Sequence, residues 1–108
     1  MGSLVRRHPV DDLARRQAYI EGHRFGPEFR EQVRRQYENG LTDIELSVIL
    51  EGLRSWFVAC LHADGAIRGL PSRAVDDAWH EFILSTRTYR TFCERAFGYY
   101  LHHTPELR

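Results

Sequence analysis

The chain has 108 residues, 43% of them hydrophobic and 12% aromatic, which suits one domain with a real core. Lys plus Arg and Asp plus Glu number 15 each, a formal net charge of zero. That balance excludes a dedicated nucleic-acid binder, which carries a basic excess. Two cysteines make no disulfide framework, and no apolar run approaches the length of a membrane span.

Residues 1–9 are polar and basic and are expected to be disordered. Asp11 and Asp12 open a first helix, with Val10, Leu13, Ala14, Gln17 and Ile20 along one side. It fades at Gly22. Pro27 suits the first turn of a second helix carrying Phe29, Val33 and Tyr37, which Asn39-Gly40 ends. Arg30, Arg34 and Arg35 read as its solvated face.

The best-signalled helix follows. Thr42 and Glu45 form a capping box, and Leu41 is placed to staple onto Leu46. The helix is expected to run to about His62. Ile44, Val48, Ile49, Leu50, Leu53, Trp56, Phe57, Cys60 and Leu61 spread over a broad arc, so it reads as central, with neighbours on more than one side. Gly52 costs about 1 kcal/mol of helix propensity against Ala, and admits a close neighbour. In the loop that follows, Ala66-Ile67-Arg68 is the one weak strand candidate.

Residues 75–103, VDDAWHEFILSTRTYRTFCERAFGYYLHH, gather the rarer side chains. A fourth helix capped by Ser72 buries Val75, Ala78, Trp79, Phe82 and Ile83. A fifth, capped by Thr86 or Thr88, buries Tyr89, Phe92, Cys93, Ala96 and Phe97. Gly98 stands where a left-handed residue ends a helix. The fold class expected is all-α: one domain over residues 1–108, a compact bundle of about five helices with a long central helix and a C-terminal helical hairpin.

The chemistry points to a binding module with three possible uses. Imidazole and thiolate are good ligands for zinc, iron or copper. His80, Cys93, His102 and His103 are the candidate ligands, with Asp76 as a further ligand or as a carboxylate orienting His80. They converge if the chain bends at Gly98 and the tail returns over the hairpin. The alternative is a metal-free protein-interaction domain displaying Trp79, Tyr89, Tyr99 and Tyr100. An enzyme with Cys93 as nucleophile and His80 as base is the third use, but Cys93 lies in an apolar stripe, and no catalytic residue is assigned. His8 and His23 read as surface residues in polar surroundings. The partner is a protein or a small ligand, with no nucleic acid and no membrane, and the compartment expected is the cytoplasm.

Asp76, Trp79, His80, Tyr89, Cys93, Glu94 and Gly98, followed by His102 and His103, resemble the glycine-rich domain-containing-protein-like family. The resemblance covers the last third of the chain. The chain departs from the plant form in lacking its glycine-rich tail and in carrying Phe82 where a second histidine often stands. The resemblance implies no particular reaction.

Overall fold

In the computed structural model, which describes residues 9–63 and 72–103, the backbone forms five helices and no strand among the described residues. They are α1 (Val10–Glu21), α2 (Pro27–Arg34), α3 (Asp43–Ala63), α4 (Arg73–Leu84) and α5 (Thr86–Ala96). The all-α expectation holds. The weak strand candidate at 66–68, and His8, lie outside the described residues. Among those residues no helix is long and apolar enough to cross a membrane.

Local hydrogen bonding sets the helix starts. Thr42 Oγ1 accepts from the Glu45 amide at 3.1 Å, and Glu45 Oε1 accepts from the Thr42 amide at 2.9 Å. Both donors would otherwise be orphaned in the first turn of α3. Ser72 Oγ accepts from the Val75 amide at 3.1 Å to open α4. The cap of α5 differs from expectation. It is Ser85, not Thr86 or Thr88, and its side chain makes no capping bond. Helix α2 also stops short of Asn39-Gly40. After Arg34 the chain tightens into turns, with Gln36 N–H on the Val33 carbonyl, and Gly40 takes φ 71°.

Helix α3 is the axis, packed against α1, α2 and α4. Leu46, Leu50, Leu53, Phe57, Cys60 and Leu61 are buried along it. In its first turns only one face is covered: Leu46 and Leu50 are buried, while Ile44 and Val48, four residues apart on the outward face, are 77% and 65% exposed despite their place in the apolar arc. Gly52 does mark a close approach: a Cβ there would meet Val75 Cγ2 of α4 at 2.9 Å. The arginine face of α2 is not wholly solvated. Arg34 reaches the Leu41 carbonyl at 3.4 Å and pairs with Asp43 at the positive end of α3.

Arg16 joins the two ends of the fold. Held by Asp12 at 2.7 Å, it donates to the Glu94 and Arg95 carbonyls at 3.1 and 3.0 Å. Those carbonyls sit at the C-terminus of α5, where a cation is favoured. Gly98 follows with φ 82°, and a Cβ on it would lie 3.1 Å from the Arg16 guanidinium. The chain therefore bends at Gly98, as expected, and residues 99–103 return over α4 and α5.

Candidate functional site

The returning tail is fastened by a relay of polar contacts. Trp79 Nε1 donates to the Tyr89 hydroxyl at 3.0 Å, and that hydroxyl donates in turn to the Leu101 carbonyl. The Leu101 amide points at Cys93 Sγ, 3.5 Å away. His103 Nε2 meets Asp76 Oδ1 at 2.6 Å, and its ring lies 4.6 Å from that of Trp79. The Trp79–Tyr89–Leu101–Cys93 links are satisfied inside the core and the His103–Asp76 contact at its edge, and together they lock the tail in one place.

That clasp redistributes the residues singled out from the sequence. Asp76, His80 and His103 come together, with the two imidazole rings 6.1 Å apart. The carboxylate orients His103, not His80. Cys93 does not join them: it is 1% exposed, its sulfur turned to the Leu101 amide inside the core, whereas His80 is exposed. His102 does not join either; it is exposed and packs on Tyr100 at 4.6 Å. Among the described residues no three His, Cys, Asp or Glu side chains form a group able to hold a metal ion. The expected aromatic surface also dissolves. Trp79 and Tyr89 are buried by the tail, Tyr99 is half-buried, and Tyr100 alone is exposed. Burial raises the Cys93 thiol pKa, with the Leu101 amide and Tyr89 hydroxyl opposing in part, and burial pushes Cys60 up to about 12. A thiol so placed holds little thiolate at neutral pH, so Cys93 lacks the activation that a nucleophile needs.

A second site was not legible as such. His23, expected in polar surroundings, sits half-buried among aromatic rings: Phe25 at 4.8 Å, Phe92 at 4.9 Å, Phe82 at 5.8 Å and Tyr19 at 6.1 Å. The α1–α2 turn that carries it is pinned from α3. Arg54 Nε donates to the His23 carbonyl at 2.9 Å, and its guanidinium lies over the Phe25 ring at 5.0 Å. Burial first, and the positive charge of Arg54 second, hold the imidazole below its ordinary pKa. His23 is therefore a neutral ring at neutral pH, able both to donate and to accept.

Two depressions meet at that ring. One, of about 240 Å³, lies between the α1–α2 turn and the start of α5 and is lined by Arg24, Phe25, Glu28, Phe29, Phe82 and Ser85 among others. The other, of about 310 Å³, runs along α5 between Tyr19, Arg87, Thr91 and Phe92. His23 and Thr88 border both. The floor is aromatic: Phe25, Phe29 and Phe82 pack at 5.0 to 5.5 Å from one another. Hydroxyls, an amide and charges stand at the rim. An apolar floor with a few convergent polar groups is the usual make-up of a small-molecule site. The hint in the sequence was His23-Arg24-Phe25-Gly26-Pro27-Glu28-Phe29, a turn histidine followed by two phenylalanines, but Phe82 and Phe92 come from far along the chain.

The chain belongs to the UCP032817-like family, whose sequence model matches residues 15–107. The match takes in nearly the whole fold, and it overturns the resemblance to the glycine-rich domain-containing-protein-like family, which rested on the last third alone. No curated protein and no solved structure matches the chain.

Proposed function

We propose that this member of the UCP032817-like family is a small binding module whose ligand site is the cleft at His23. One observation carries the reading: two adjoining depressions share a neutral, half-buried imidazole over a floor of phenylalanines. The walls are fixed elements, because Arg54 ties the turn to α3 and Phe82 and Phe92 anchor it on α4 and α5. A preformed site of this kind loses little entropy on binding. Both volumes fall at or below the lower end of the roughly 300–1,000 Å³ range of ligand pockets, which favours a ligand of one ring.

A ligand-observed NMR screen of single-ring compounds tests this. Hits should be lost in Thr88→Trp, which fills the cleft from an exposed helical position while leaving the melting temperature unchanged. A screen without hits at millimolar concentration, or hits indifferent to Thr88→Trp, would sink the reading.

A second reading rests on the His80–His103 pair. With metal–nitrogen bonds of about 2.1 Å, two imidazoles on one ion have ring centres roughly 5 to 6.5 Å apart, and these lie at 6.1 Å. Asp76 behind His103 matches the carboxylate–histidine–metal arrangement. The protein would supply two ligands to zinc, iron or copper, with water or a small molecule completing the shell. Elemental analysis of untagged protein, beside His80→Ala, decides it: metal at one equivalent that the variant loses supports the reading, and metal-free protein ends it.

A further inference from the structure

We infer that the ligand of the His23 cleft is a small aromatic anion, a single ring bearing a carboxylate or a comparable acidic group; this rests on the cleft being the binding site. The ring belongs on the floor. Phe25, Phe29 and Phe82 present tilted and edge-on faces to one another, and a further ring extends that packing in an offset or T-shaped arrangement. The acidic group belongs at the rim, where Arg24 stands with the hydroxyls of Ser85 and Thr88 at one depression and Arg87 with that of Thr88 at the adjoining one.

Those two arginines differ from the others that build the fold. Arg16 caps α5, Arg34 pairs with Asp43, and Arg54 holds the His23 carbonyl and pairs with Glu51. Arg24 and Arg87 make no hydrogen bond or ion pair among the described residues. A guanidinium presents a fork of donors that suits a carboxylate, and it keeps its charge at any physiological pH. The rim carries one carboxylate, Glu28, against these two guanidiniums, so its balance is positive. The His23 imidazole lies between the depressions and adds a hydrogen bond to an acceptor or donor on the ring. No charge at this site has to be buried without a partner, because both guanidiniums are exposed until the anion arrives.

The test is a set of three titrations of ¹⁵N-labelled protein followed through its amide resonances. The probes are benzoate, benzyl alcohol and benzylamine, which share a ring and differ in charge. Benzoate should shift the amides of His23, Arg87 and Thr88 saturably and bind about fivefold more tightly than benzyl alcohol, the advantage one exposed ion pair supplies. In the double variant Arg24→Gln/Arg87→Gln that advantage should vanish while benzyl alcohol binds as before. Benzoate binding no better than benzyl alcohol, or worse than benzylamine, would overturn the anion while leaving the cleft in place; the second result would mean that Glu28 governs the rim. Shifts that map elsewhere, or none with any probe, would overturn the cleft as well.

Discussion

The clasp over α4 and α5 and the cleft at His23 are built from similar residues and behave as opposites. Both combine aromatic rings with a histidine and polar side chains. In the clasp those polar groups face each other: Trp79 with Tyr89, Tyr89 with Leu101, His103 with Asp76. In the cleft the rim guanidiniums have no partner among the described residues. Partnered polar groups in a core fix one conformation. Unpartnered ones beside an apolar floor are free to meet a ligand. The lesson is that a concentration of chemically interesting residues marks importance to the molecule, and that their partners decide whether the importance is to folding or to recognition.

Substitutions should separate the two regions. The largest effect is expected from Tyr89→Phe, which orphans both the Trp79 indole N–H and the Leu101 carbonyl in the core. At about 1–3 kcal/mol per unsatisfied buried group, it should cost about 2–6 kcal/mol in denaturant unfolding. Ligand binding at the cleft should persist in the fraction that remains folded. A Tyr89→Phe protein as stable as the parent would show that the clasp holds nothing.

Next comes Gly98→Ala. The left-handed φ and the Arg16 guanidinium 3.1 Å from the new Cβ should together cost about 1–2 kcal/mol, read as a lowered melting temperature. Arg16→Ala in the same background should recover little, because the backbone strain stays.

A smaller effect concerns pH. The folded state binds a proton at His23 less readily than the unfolded chain does, since burial and Arg54 depress its pKa. The unfolded state then holds more protons wherever pH falls through about 6.5, and stability declines in that direction. His23→Phe should flatten this part of the stability–pH curve; an unchanged slope would show that His23 is not the group responsible.

The smallest effect on stability is expected from Arg87→Gln, within about 0.5 kcal/mol as for other unpartnered surface groups, while benzoate binding weakens. A clear loss of stability there would move Arg87 from the recognition side of the comparison to the structural side.

Features governed by neighbouring residues were legible in the sequence. The Thr42–Glu45 box, the Ser72 cap and the left-handed Gly98 each depend on a few adjacent positions, and each forms as expected. Gly52 was readable as a close contact because a glycine inside a strong helix calls for a packing reason. The return of the tail followed from Gly98, and with it the approach of His103 to Asp76. What the tail does to its neighbours did not follow. Helical spacing puts Cys93 on an inward face, yet only the docked Leu101 shows that its sulfur is used internally. Periodicity likewise assigned Ile44 and Val48 to an apolar arc, without showing that the other helices cover only the Leu46–Leu50 face of the first turns of α3. His23 was missed because its surroundings are assembled from four segments, and a histidine in a short turn looks solvated until Phe82 and Phe92 arrive.

The Arg16 bridge has a consequence for synthesis. Its carbonyl acceptors lie 78 and 79 residues downstream, so α1 leaves the ribosome long before its partner exists. Closing a loop of that length costs about 4 kcal/mol of chain entropy at (3/2)RT ln n, before any constant. Until the last helix emerges, the nascent chain carries an unsealed apolar flank along its first and third helices. A growing chain stalled before α5 should therefore be a chaperone client, and release of the final segment should end that dependence.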